Sequence, residues 1–299
     1  MTRILVAGVA VLDFIFHMQE FPRKPEKYRA TGANVTGGGN AANAAVAIAR
    51  LGGEALLAGR TGNDEVADMI ENGLLKEGVD TSLVKRFSAC RSSFSSIYMD
   101  AAGERQIMNY RDMEISMDAA WLAQSLPENL DACLCDTRWP DGALVVMEAA
   151  RSRGIPGVID AEAPVMEAIE AVQAASHVAF SAQGLRDFTG IDNLQTAALD
   201  ADKRLQGHVT VTDGGNPVID IIDGAVRTFE VFPITPVDTL GAGDVWHGAF
   251  TLALAQKRSH EEAIRFANAA AAIKSSRPGG RDAAPTSCEV SQFLESQNP

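Results

Sequence analysis

Residues 238–244 read Asp238-Thr239-Leu240-Gly241-Ala242-Gly243-Asp244, and a helical run, 245–256, follows at once. Small residues at 241–243 let the backbone turn tightly and bring several N–H groups to one point. That point lies at a helix N-terminus, where free N–H groups and the helix dipole favour an anion. Asp244 falls in the first turn, beside the anion's place. Two readings fit these residues. One is a glycine-rich strand-to-helix turn whose Asp caps the helix. The other is an anion cradle with an adjacent base, as phosphoryl transfer to a hydroxyl requires.

Outward from this stretch, apolar runs alternate with helical patterns. Residues 4–12, 55–59, 132–136, 157–160, 177–181 and 208–212 read as strands. Residues 40–51, 64–77, 141–152, 164–174, 243–256 and 260–275 read as helices, the first two closed by glycines at 52–53 and 78. Such alternation predicts an α/β fold with a mainly parallel central sheet and helices on both faces. Two stretches interrupt the rhythm. Residues 14–35 lack a helical period, and 92–112 read as a hairpin turning at Ala101-Ala102-Gly103, with the glycine at a left-handed position. Together they predict a small β-sheet lid on one α/β domain spanning 1–299.

Composition narrows the function classes. The 299 residues are 46% apolar and 22% charged, which excludes disordered and fibrous chains. A net charge of −13 argues against nucleic acid and anionic membrane surfaces as partners, so an anionic substrate needs a local cluster of cations. The run 4–12 is followed by no small-residue cleavage site, and no stretch approaches a membrane span, so a cytoplasmic protein is expected. The four cysteines form no CxxC pair. A Walker loop, HExxH and GxSxG are all absent. Gly37-x-Gly39-x-x-Ala42 fits the loose dinucleotide fingerprint, but 33–36 does not read as the strand that should precede it. His17, His177, His208 and His260 are scattered and suggest no metal site, while His247 reads as packing beside Asp244.

Asp-Thr-x-Gly-Ala-Gly-Asp at 238–244 resembles the C-terminal signature of the ribokinase-like (PfkB) carbohydrate kinases. Gly37-Gly38-Gly39-Asn40-Ala41-Ala42-Asn43, with 44–52, resembles their N-terminal signature. The resemblance extends over nearly the whole chain and implies an ATP- and Mg²⁺-dependent sugar kinase. By it, Asp244 is the general base, and the N–H groups of Gly241, Ala242 and Gly243 form the anion hole for the transferred phosphoryl group. It places Asp13, Gly39 and Asn43 on the sugar, Thr212 and Gly214 near the nucleotide phosphates, and Asn268 beside the nucleoside. It pairs Asp238 with 276–281 around a monovalent cation such as K⁺, and implies a homodimer formed through the lid. One departure is plain: the family's Asn-x-x-Glu is replaced by Ser181-Ala182-Gln183-Gly184, so Mg²⁺ is expected to ride on ATP and water.

Lys27, Arg105, Asn109 and Arg138 are the polar residues expected to face the pocket. Arg105 and Asn109, four apart on one strand, share a face. Lys, Asn and Arg together can surround a tetrahedral oxyanion; the same residues also read as solvated lid charges. Residues 103–110, 136–143 and 277–281 resemble the sulfofructose kinase branch, in which the trio matching Lys27, Asn109 and Arg138 binds the sulfonate of 6-deoxy-6-sulfofructose. The expected reaction is phosphorylation of that sugar's C1 hydroxyl. Fructose 6-phosphate or a neutral sugar (fructose, ribose) are the alternative substrates. A non-catalytic sugar or nucleotide sensor and a nicotinamide oxidoreductase are the alternatives of other classes.

Overall fold

The computed structural model describes residues 1–101 and 104–297. In chain order its strands are β1 (Arg3–Ala7), β2 (Val11–His17), β3 (Gly32–Gly38), β4 (Glu54–Gly62), β5 (Asp80–Phe87), β6 (Phe94–Met99) and β7 (Arg105–Tyr110). They continue with β8 (Ala132–Asp136), β9 (Gly157–Ala161), β10 (His177–Ser181), β11 (His208–Asp213), β12 (Asn216–Ile222) and β13 (Ala225–Phe229). Among the described residues they form a nine-stranded sheet, β13-β12-β11-β10-β9-β8-β1-β4-β5, and a four-stranded one, β3-β2-β6-β7. The large sheet is parallel from β5 to β11, and β12 and β13 are antiparallel additions at its edge. The small sheet is the lid, with β2 parallel to β6 and antiparallel pairs outside them.

A strand covered on both faces needs apolar residues at every position. In β1, Ile4 and Val6 face one core with helices Asn40–Arg50, Ala242–Ala255 and His260–Ser275, while Leu5 and Ala7 face the other with Pro140–Arg153. The alanines at 41–49 and 267–272 are buried almost throughout and let these helices approach closely.

The apolar run 4–12, expected as one strand, is two. It breaks after Ala7, so that β1 belongs to the main sheet and β2 to the lid. Gly8 makes the break, with φ 152° and a position where a Cβ would lie 2.2 Å from the Asp136 carboxylate. Asp13 therefore stands on a lid strand rather than at the end of the first core strand. The lid expected at 14–35 and 92–112 is present, with its first strand starting earlier, at Val11. The hairpin turn's Gly103 lies outside the described residues. Residues 33–36 do form a strand, β3, contrary to expectation. It runs antiparallel to β2 in the lid and belongs to no βαβ unit, so the dinucleotide fingerprint still lacks its context. Among the described residues no helix is long and apolar enough to cross a membrane.

Candidate active site

Helix Ala242–Ala255 begins at Gly241, whose φ of 76° is left-handed and which glycine adopts without strain. No side chain caps this helix and a Cβ on Gly243 would meet only open space; the Ala242 N–H lies 3.2 Å from the Thr239 carbonyl, which it would share with an incoming anion. These are the features of an anion site. Asp244 does not cap its own helix; instead its Oδ2 accepts from Asn43 Nδ2 at 2.7 Å. Burial and the charge of Asp160 push the Asp244 carboxyl up to about 7, against the opposing Asn43 hydrogen bond. A carboxylate so placed ionises near neutral pH and can take a proton from a hydroxyl. His247 is buried against the same carboxylates, its Nδ1 3.6 Å from Asp160 Oδ2, in the packing place expected of it.

Several residues of this site were not singled out from the sequence. Asp136 and Asp160 lie at the C-terminal ends of β8 and β9, the edge where open parallel sheets bind ligands. That position was the available signal. Asn40 Nδ2 reaches both Asp160 Oδ2 (3.2 Å) and Glu162 Oε2 (3.1 Å). Burial and the neighbouring Glu162 push the Asp160 carboxyl up to about 7. Asp136 is buried and accepts from the backbone N–H groups of Val9 (2.8 Å), Ala41 (3.2 Å) and Arg138 (2.8 Å). Ser181, at the start of the segment replacing Asn-x-x-Glu, accepts from Gly184 N–H at 2.9 Å and is used as a helix cap. Asp160 and Glu162 are thus the oxygen donors here that fit a hydrated Mg²⁺.

On the lid, register lines up Asp13, Ser95 and Asn109 across β2, β6 and β7. Asn109 donates to Ser95 Oγ at 3.2 Å, and burial raises the Asp13 carboxyl above its ordinary value despite the Ser95 hydrogen bond. Gly39 precedes the helix Asn40–Arg50 and packs on the Val9 carbonyl. Arg138 ion-pairs with Glu162 at 2.8 Å, and Lys27 is exposed in the β2–β3 loop. Lys27, Asn109 and Arg138 make no hydrogen bond or ion pair to one another. Arg138 lines a pocket with Arg60 and Arg111, together with Gly8, Val9 and Ser93. Burial and the charge of Arg111 push the Arg60 guanidinium down to about 10. Arg105, at the other end of β7, lies 4.0 Å from Asp238 Oδ1.

Thr212 is the penultimate residue of β11, and Gly214 lies in the turn after it, its absent Cβ facing free space. Asn268 is buried with its amide engaged internally: Oδ1 accepts from Trp246 Nε1 (2.8 Å) and Nδ2 donates to the Glu230 carbonyl (3.1 Å). In this structure that amide braces the chain. The neighbourhood of Asp238 does not fit a monovalent metal ion. The fully buried Lys274 donates to the Asp238 carbonyl at 2.8 Å, and its ammonium lies 3.5 Å from Oδ2, supplying a positive charge there. Leu240 and Gly280 N–H groups complete the carboxylate's shell.

A family model described as "pfkB family carbohydrate kinase" matches residues 1–287. The chain is 27% identical to a ribokinase of Bacillus subtilis over 98% of its own length and 100% of the relative's. It is 31% identical to fructokinase-1 of Oryza sativa, covering 87% of this chain and 88% of that one. The solved structure of ribokinase from Thermotoga maritima superposes with a TM-score of 0.86 at 27% identity, over 99% of this chain and 100% of the other.

Proposed function

The chain belongs to the pfkB family of carbohydrate kinases, and from that premise we propose that this ATP-dependent enzyme phosphorylates the C1 hydroxyl of 6-deoxy-6-sulfofructose. The observation that carries the anionic sugar is the pocket lined by Arg60, Arg111 and Arg138 beneath the lid of a chain with net charge −13. The charge of Arg111 lowers the Arg60 pKa, and Arg138 has Glu162 as its partner, so an oxyanion that takes the place of Glu162 would join the three guanidiniums. The sulfonate lies between Asn109 and Arg138, Arg138 exchanging Glu162 for it, and Lys27 approaches from its loop. Asp13, Asn43 and the backbone at Gly39 hold the ring hydroxyls. Arg105, beside Asp238, faces the phosphoryl end.

The C1 oxygen attacks the γ-phosphorus in line with the departing ADP; one P–O bond forms as the bridging one breaks. Asp244 takes the hydroxyl proton, and the N–H groups of Gly241, Ala242 and Gly243 carry the charge that develops on the phosphoryl oxygens. Thr212 and Gly214 flank the other phosphates. Asp160 and Glu162 would hold the waters of the Mg²⁺ that accompanies ATP, an ion that would supply neutralisation of phosphate charge. Asp238 and Lys274 fix the turn before the anion hole with no need of K⁺. The exposed edge strand β7, with Ile107 and Met108 uncovered, supports a homodimer formed lid to lid, which light scattering of the eluting protein tests.

A neutral ketose or ribose is the second reading, favoured by the Glu162 ion pair that already neutralises Arg138 and by the ribokinase and fructokinase names of the relatives. ADP release from MgATP across sulfofructose, fructose 6-phosphate, fructose and ribose separates the readings. The expected result is a kcat/KM at least ~10²-fold higher for sulfofructose than for fructose, about what ~2.7 kcal/mol of selective binding gives. A neutral sugar turning over best would leave the kinase standing and remove the sulfonate from the pocket.

A further inference from the structure

Away from the candidate active site, three of the five histidines converge. His177 and His208 are the first residues of the neighbouring parallel strands β10 and β11 and pair in register, and His260 opens the helix His260–Ser275. The rings of His208 and His260 lie 3.9 Å apart, and His177 stacks on His260 at 5.1 Å. Between them, from β12, comes the carboxylate of Asp220, which is 0% exposed. This is the N-terminal edge of the strands, whereas Asp160, Thr212 and Asp244 sit at the C-terminal edge; four residues of β11, about 13 Å at ~3.3 Å each, separate His208 from Thr212.

The hydrogen bonding of the cluster is incomplete. Asp220 Oδ1 accepts from Thr210 Oγ1 at 2.6 Å and meets His208 Nε2 at 2.7 Å. Asp220 Oδ2 and His260 Nδ1 are both buried and without a hydrogen-bond partner, and they face each other across 3.7 Å. That gap is too long for a hydrogen bond, and leaving two such atoms unmet in the interior is costly. It matches a metal bridge instead. Zinc ligands about 2.0–2.1 Å from a tetrahedral ion stand roughly 3.3 Å from one another. The ligand atoms of His208, Asp220 and His260 all lie within 4.8 Å of one another.

We infer that His208, Asp220 and His260 form a binding site for a divalent transition-metal ion, Zn²⁺ by its ligand chemistry, that ties β11 and β12 to the start of the helix His260–Ser275. Two imidazoles and a carboxylate suit Zn²⁺ far better than Mg²⁺, whose ligands are oxygens. Thr210 orients the carboxylate as an outer partner, and Phe250, edge-on to His177 and His260, supplies an apolar wall. The His208 and His260 side chains remain 25% exposed, which leaves an entry path and room for a water as fourth ligand. The role is structural, since no group of the phosphoryl-transfer site belongs to it.

The test uses the full-length protein, stripped with chelator and dialysed against Zn²⁺, with Cys90→Ser and Cys288→Ser introduced to remove the thiols that are not buried. One Zn²⁺ retained per chain, a raised Tm and visible d–d bands with Co²⁺ as probe are expected. His208→Ala and His260→Ala, at element ends, should each weaken retention at least ~10-fold while leaving sugar phosphorylation intact. Asp220→Asn is a third variant if either fails to fold. Absence of stoichiometric metal in the thiol-free protein, or retention unchanged by these substitutions, overturns the site.

Discussion

As the proposed base, Asp244 would answer two opposed demands: to be buried enough to be basic and ionised enough to act. With its carboxyl near 7, kcat/KM should rise as pH passes through that value. Asp244→Asn should lower kcat by at least ~10²-fold while ATP affinity, read by titration calorimetry, stays nearly intact. The same raised pKa has a stability sign. The unfolded chain releases this proton near 4 and the folded chain only near 7, so the group's contribution to stability falls as pH climbs between them. Asp244→Asn should therefore have the higher Tm at pH 8, the gap narrowing toward pH 5. Because the charge of Asp160 helps hold Asp244 up, Asp160→Asn should move the acid limb of the pH–rate profile to lower pH; an unmoved limb would break that coupling. Lys274 leads to a third expectation: turnover indifferent to K⁺ in the native protein, and stimulated by K⁺ in Lys274→Ala. Asp244 was readable because its chemistry sits within a seven-residue signature. Asp160, Arg60 and Arg111 were not, since only folding brings them to Asp244 and Arg138, and no local spacing marks them.

At the scale of elements, helices and buried strands were legible to within a residue or two wherever period or composition switched sharply, as at 132–136 and 260–275. The run 4–12 shows the limit. Nine uninterrupted apolar residues carry no periodicity to reveal that the chain leaves one sheet for another, and the cause of the break, the Asp136 carboxylate against Gly8, lies 128 residues downstream. β12 and β13 went unread for another reason: they follow β11 as antiparallel strands with no helix between, outside the strand–helix alternation, and β13 is a largely exposed edge. Gly8→Ala should place a methyl on Asp136 and cost about 1–3 kcal/mol, the range for overpacking, seen as a lowered Tm. A variant as stable as the parent would show that the β1–β2 junction can relax.

For the whole molecule, a net charge of −13 repels free anions everywhere except where cations are concentrated. The proposed anionic sugar would therefore have to be recognised in the arginine pocket. Arg138→Ala should raise KM for sulfofructose much more than for fructose, and equal effects on both would remove the oxyanion from that pocket. Overall charge and fold class could be read from composition and alternation alone. The position of the cationic patch could not, because it joins residues from β4, the segment after β7 and the turn after β8.

Asp136 gives the molecule an order of assembly. Its single carboxylate receives the N–H groups of Val9, at the entrance to the lid, and of Ala41, at the start of the first signature helix, across 127 and 95 residues of chain. A ribosome delivers the amino-terminal segments first, and both must wait without their anchor until nearly half of the polypeptide has emerged. These segments, though encoded first, thus go without this anchor through the first half of synthesis, and are the stretch that depends most on protection during that time.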